Sequence, residues 1–111
     1  MITRFALFEG SLKSGQSMHD FRDAVTKRLL PLWRQFPGNT SVRVMFGVSR
    51  DSGAPEFPLI LAISYPDLAA VEAALNSPFR AQSREVTGEI VAQFFDGRIH
   101  HHVTEADEYL P

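Results

Sequence analysis

Apolar residues recur at helical spacing over one long stretch, Ser17 to Gly38. Met18, Phe21, Val25, Leu29, Leu32 and Phe36 form a single stripe on a helix there. Ser17 fits the N-cap, and Asp20 takes the capping-box position with Asp in place of the usual Glu. Asp20 and Asp23 sit near the positive end of the helix dipole, and Lys27, Arg28 and Arg34 toward its negative end. Pro31 lacks a backbone donor, which predicts a kink or break near Lys27 to Leu30. Pro37-Gly38 ends the element.

Around this helix, alternation predicts strands. Ile2 to Glu9 is the first, followed by a Gly/Ser-rich loop from Gly10 to Gln16. Ser41 to Arg50 is the second, with Val42, Val44, Phe46 and Val48 on one face. The turn Asp51 to Glu56 leads to a third strand, Pro58 to Tyr65, apolar on both faces and so central. Asp67 caps a further helix that buries Leu68, Val71 and Leu75. Asn76-Ser77-Pro78 breaks it, and Pro78 opens another helical segment with Phe79, Val86, Ile90 and Phe94 along it. Asp96-Gly97 reads as a turn, Arg98 to Val103 as a fourth strand, and the rest as an acidic tail.

The order β-α-β-β-α-β is the ferredoxin-like pattern of the α+β class: a four-stranded antiparallel sheet in one domain, residues 1–111. Right-handed crossovers put the helices on one face and leave the other open. Alternation sorts the strand residues into two sets. Phe5, Leu7, Val42, Val44, Phe46, Leu59, Leu61, Ile63, Ile99 and Val103 are assigned to the helix side. Arg4, Ala6, Phe8, Arg43, Met45, Ile60, Ala62, Ser64, His100 and His102 are assigned to the open side. That open set is apolar at its middle, which predicts a homodimer joined sheet to sheet.

Composition narrows the functions. Eleven basic and thirteen acidic residues give a net charge of −2, so nucleic-acid binding is not expected. With no cysteine, disulfides, thiolate metal sites and a Cys nucleophile are excluded. The first residues do not read as a signal peptide, and no apolar run approaches the ~20 residues of a membrane span. A soluble cytoplasmic protein without membrane association is expected.

No complete catalytic motif is present, neither a Ser-His-Asp order nor G-x-S-x-G nor a pair of buried carboxylates. Gly10 to Ser17 nearly spells a phosphate-binding loop, but Gln16 replaces the essential lysine, so it reads as a flexible loop. His100-His101-His102 is the most unusual tripeptide. On a strand, His100 and His102 share a face and His101 points the other way. The pair lacks a third metal ligand placed by any motif, and no metal or cofactor is expected. Beside Arg4 and Arg43 it suits an anionic or phenolic ligand and proton transfer, since the imidazole reference pKa is about 6.5. The competing reading places these histidines at a dimer seam. Trp33 lies off the main stripe, either at a pocket mouth facing a planar ligand or in core.

RFALFEG, LLPLWRQFPG, SVRVMFGVSRDSGAPEFPLILAISYPD and FDGRIHHHV resemble the EthD-like branch of the dimeric α+β barrel superfamily. Members often carry a histidine, an apolar residue, proline and an apolar residue, and soon Pro-Gly. Here Leu29 stands at the histidine position of Leu29-Leu30-Pro31-Leu32, so activity that depends on that histidine is not implied. The resemblance implies a ferredoxin-like subunit, a homodimer and a cavity between sheet and helices. Two functions stay open. One is a pocket for a small aromatic or acidic metabolite lined by Arg4, Phe8, Arg43, Met45, His100 and His102. Cofactor-free chemistry there would use His100 or His102 to move a proton and Arg43 to stabilise an anion. The other is a non-catalytic binding homodimer with the histidines at its seam.

Overall fold

The computed structural model describes residues 1–111. Four strands, β1 (Ile2–Leu12), β2 (Ser41–Phe46), β3 (Leu59–Tyr65) and β4 (Phe95–Glu105), form one antiparallel sheet in the order β2-β3-β1-β4. Helices α1 (Met18–Ala24), α2 (Leu30–Trp33), α3 (Leu68–Leu75) and α4 (Pro78–Phe94) complete the ferredoxin-like order.

Between α1 and α2 the backbone runs without a break through one π-helical stretch, Val25–Leu29, where Leu30 N–H donates to the Val25 carbonyl. Pro31 is the local cause that sequence supplies. Its ring has no proton to donate and would crowd a carbonyl one α-turn back, and a widened turn relieves both. The helix therefore bulges where a kink was expected, and Val25, Leu29, Trp33 and Phe36 all stay buried. Ser17 accepts from Asp20 N–H at 3.1 Å and Asp67 accepts from Ala70 N–H at 2.8 Å, so both expected caps form.

The helices bury Phe21, Val25, Leu29, Ile90 and Phe94 against Leu59, Leu61 and Ile63 of the sheet. Phe21 meets Phe46 edge-on at 6.4 Å between centroids, and Phe8 meets Phe95 at 5.8 Å. The pairing Phe8↔Leu59, Ala6↔Leu61 and Arg4↔Ile63 then fixes the face of β1, because directly opposed residues share a side. Arg4, Ala6 and Phe8 lie under the helices, and Phe5 and Leu7 face the open side, the reverse of the expected sorting. β2 follows expectation as far as Phe46, with Val42↔Ile63, Val44↔Leu61 and Phe46↔Leu59 inward and Arg43 and Met45 outward, but it ends there, and Val48 is exposed beyond the sheet.

Further boundaries move, and β4 also runs on through Thr104 and Glu105 of the expected tail. Gly10, Ser11 and Leu12 belong to β1, and Asp96 and Gly97 to β4, so the expected loop and turn are strand. Gly10 faces Gly97 across the ladder, and a Cβ on Gly10 would overlap the Asp96 carbonyl oxygen. Only glycine allows that close approach. As a result α4 passes into β4 with no connecting loop, Phe94 ending one and Phe95 starting the other.

Candidate functional site

A cavity of about 520 Å³ lies between the sheet and α4, inside the usual size range for small-molecule sites. Its floor is the helix side of the strands: Arg4, Ala6 and Phe8 from β1, Leu61, Ile63 and Tyr65 from β3, and Ile99 and His101 from β4. Trp33 and Phe36 close one end. The roof is a face of α4 at helical spacing, Arg80, Ser83, Arg84, Thr87, Gly88 and Val91. Ala6 is small and Gly88 has open space where a Cβ would stand, so neither narrows the chamber.

The polar groups are of one sign. Arg4, Arg80 and Arg84 line the cavity with no aspartate or glutamate among its walls. The four ion pairs lie elsewhere, at Lys27–Asp23, Arg28–Glu89, Arg50–Glu56 and His100–Glu9. Arg80 Nη1 has one protein acceptor, the Leu75 carbonyl at 3.4 Å. Burial lowers the pKa of Arg4, and the charge of Arg80 adds to this; Arg80 is lowered by burial and by Arg84. Both remain cations, held together without a counter-charge. Burial first, then Arg4, Arg80, Arg84 and His100, pushes the His101 imidazole down to about 4, so it is neutral at pH 7. Burial raises the Tyr65 phenol, which stays protonated beside Arg4. The site therefore offers guanidinium donors, a phenol O–H and a neutral imidazole around an aromatic floor.

The expected site residues divide between two places. Arg4, Phe8 and Trp33 line the cavity. Arg43, Met45, His100 and His102 stand on the opposite face, opposed to Ala62, Ile60, Leu7 and Phe5. Arg4 and Phe8 thus do not share a surface with the other four, because the pleat of β1 runs in the other phase. His100 Nε2 is 2.7 Å from Glu9 Oε1 on that open face. No group of three or more His, Cys, Asp or Glu side chains converges on a common point.

Four cavity residues escaped the sequence reading. His101 is the histidine pointing away from the chosen pair, and Tyr65 is the last residue of the expected third strand. Arg80 and Arg84 lie on the same segment as Phe79, Val86, Ile90 and Phe94 but off the apolar set. Their signal was the recurrence of positions 80, 83, 84, 87, 88 and 91, a second stripe beside the apolar one.

The fold and this cavity define a class, the ferredoxin-like α+β domain with a chamber between sheet and helices. Among solved structures, an ethyl tert-butyl ether D (EthD) family protein from Bacillus halodurans C-125 is similar at TM-score 0.70 and 20% identity, covering 96% of this chain and 99% of that one. A protein from Jannaschia sp. CCS1 described as dimeric, ferredoxin-like and of unknown function matches at TM-score 0.64 and 20% identity, over 95% and 98%. SnoaB, a cofactor-independent oxygenase from Streptomyces nogalater, matches at 0.61 and 14%, over 99% and 96%. No protein-family model matches the chain, and no curated protein matches it. The EthD family protein among these neighbours agrees with the resemblance seen in the sequence, and identities this low establish the fold alone.

Proposed function

We propose that this chain binds a small aromatic or acidic metabolite in the cavity beneath α4, and that it works as a homodimer joined through the opposite sheet face. The observation that carries the reading is a chamber lined mainly by apolar and aromatic side chains with a few convergent polar groups. Pairing is supported by Phe5, Leu7, Met45 and Ile60, a half-buried apolar patch on the open face, and by similar structures that are described as dimeric. In this reading His100, His102 and Arg43 belong to the seam between two copies. Any cofactor-free chemistry falls to the cavity, where Arg4 can stabilise an anion and the neutral His101 and the protonated Tyr65 can hydrogen-bond it.

Trp33 is the single tryptophan and lines the cavity, which makes it a built-in reporter. A panel of one- and two-ring aromatic molecules, acids and neutral analogues alike, is titrated at pH 7 while Trp33 emission is followed. A saturable change is expected for at least one member. A flat response across the panel, with calorimetry also flat, would sink the reading.

A further inference from the structure

The chamber has a charge asymmetry that size and apolarity do not explain. Arg4 from the floor and Arg80 and Arg84 from the roof line the same cavity, no carboxylate faces them, and each acid of the chain that pairs with a cation does so elsewhere. Grouping like charges in a partly desolvated site costs stability, so an unpaired cluster of this kind is poised for an anion. Surface arginines ordinarily extend into water. Arg4 cannot, because it springs from a central strand and lies under α4, and Arg80 is held back by its bond to the Leu75 carbonyl.

We infer that the cavity selects a planar aromatic carboxylate, its anionic head among Arg4, Arg80 and Arg84 and its rings against Phe8 and Trp33. This rests on the cavity being a ligand site and adds the charge that the ligand must carry. Guanidinium groups suit a carboxylate because their paired N–H donors match its two oxygens. Apart from the uncharged Tyr65, Ser83, Thr87 and His101, the rest of the lining is apolar, including Ala6, Leu61, Ile63 and Val91, so the charge of the ligand must be confined to one end. Arg84 and Gly88 are exposed, which places the mouth of the cavity on the α4 side. An acid entering there meets the guanidinium groups first. Tyr65 keeps its proton at pH 7, so it brings no competing negative charge to the head-group end.

The test uses benzoate and 2-naphthoate, each against its neutral amide, by calorimetry on the full chain at pH 7. At least one acid is expected to bind about tenfold or more tighter than its amide, the scale of a charge-assisted contact. Arg4→Gln and Arg84→Gln are each expected to erase most of that preference while leaving the affinity of the amide nearly unchanged. Gly88→Leu, which fills the chamber without touching its charge, is expected to weaken acid and amide together. Acid and amide binding alike in the wild type would overturn the charge selection and leave the cavity reading intact. A preference that survives both arginine variants would overturn the assignment of the head-group site. Failure of every acid and amide to bind would overturn the cavity reading along with it.

Discussion

His101 faces a chamber in which every charged wall group is positive, and its imidazole is held uncharged by burial and by Arg4, Arg80, Arg84 and His100. The consequence for stability has a definite sign. The unfolded chain protonates this histidine near its reference pKa of 6.5, and the folded chain only near about 4. Protons therefore favour the unfolded state between those values, and stability is lost as pH falls from 6.5 toward 4. Water screens part of the effect, because the residue is exposed over much of its surface. The melting temperature of the wild type should fall more steeply across this window than that of His101→Gln. Parallel curves for the two proteins would show that the imidazole titrates normally.

At the scale of elements, the caps are the most legible feature. Ser17 and Asp67 precede helices and bond the backbone where the sequence places them. Asp67→Ala leaves the Ala70 N–H without its partner and should cost about 1 kcal/mol in urea unfolding. Stability unchanged within error would mean that water replaces the carboxylate there. The bounds of α3 and the start of α4 were equally plain, because Asn76-Ser77-Pro78 can only interrupt a helix. The phase of β1 was not. Both of its faces are apolar at two or more positions, so alternation offers no preference, and size favoured Phe5 and Leu7 for the core. The inner face instead carries Ala6, small enough to leave room, and Arg4, a charge that hydrophobic patterning sends outward. A chamber breaks the rule that inward residues are large and greasy. The same reason hid Arg80 and Arg84, whose polar stripe looks solvated until the sheet is seen opposite. Pro31 announced a disturbance, but whether a helix kinks or widens there depends on keeping Leu29 and Trp33 on the core side.

For the whole molecule, the proposed pairing turns on the open sheet face. Phe5, Leu7, Met45 and Ile60 are only half-covered by a single copy, and the hydroxyls of Thr3 and Ser64 already satisfy each other at 2.9 Å. Such a surface has few unmet polar groups and suits a second sheet. Sedimentation should give a dimer at micromolar concentration, and Leu7→Glu should convert it to a monomer with unchanged far-ultraviolet dichroism. A wild-type monomer under those conditions would remove the pairing and return His100 and His102 to the solvent.

The direct passage from α4 to β4 has a mechanical result. Arg80 and Arg84 ride on the helix, His101 rides on the strand, and no slack residue separates the two segments. A tilt of one of those walls is therefore passed directly to the other. Trp33 closes the far end, buried in the core. A molecule entering past the exposed Arg84 and Gly88 would meet basic groups already set in position by the helix that carries them.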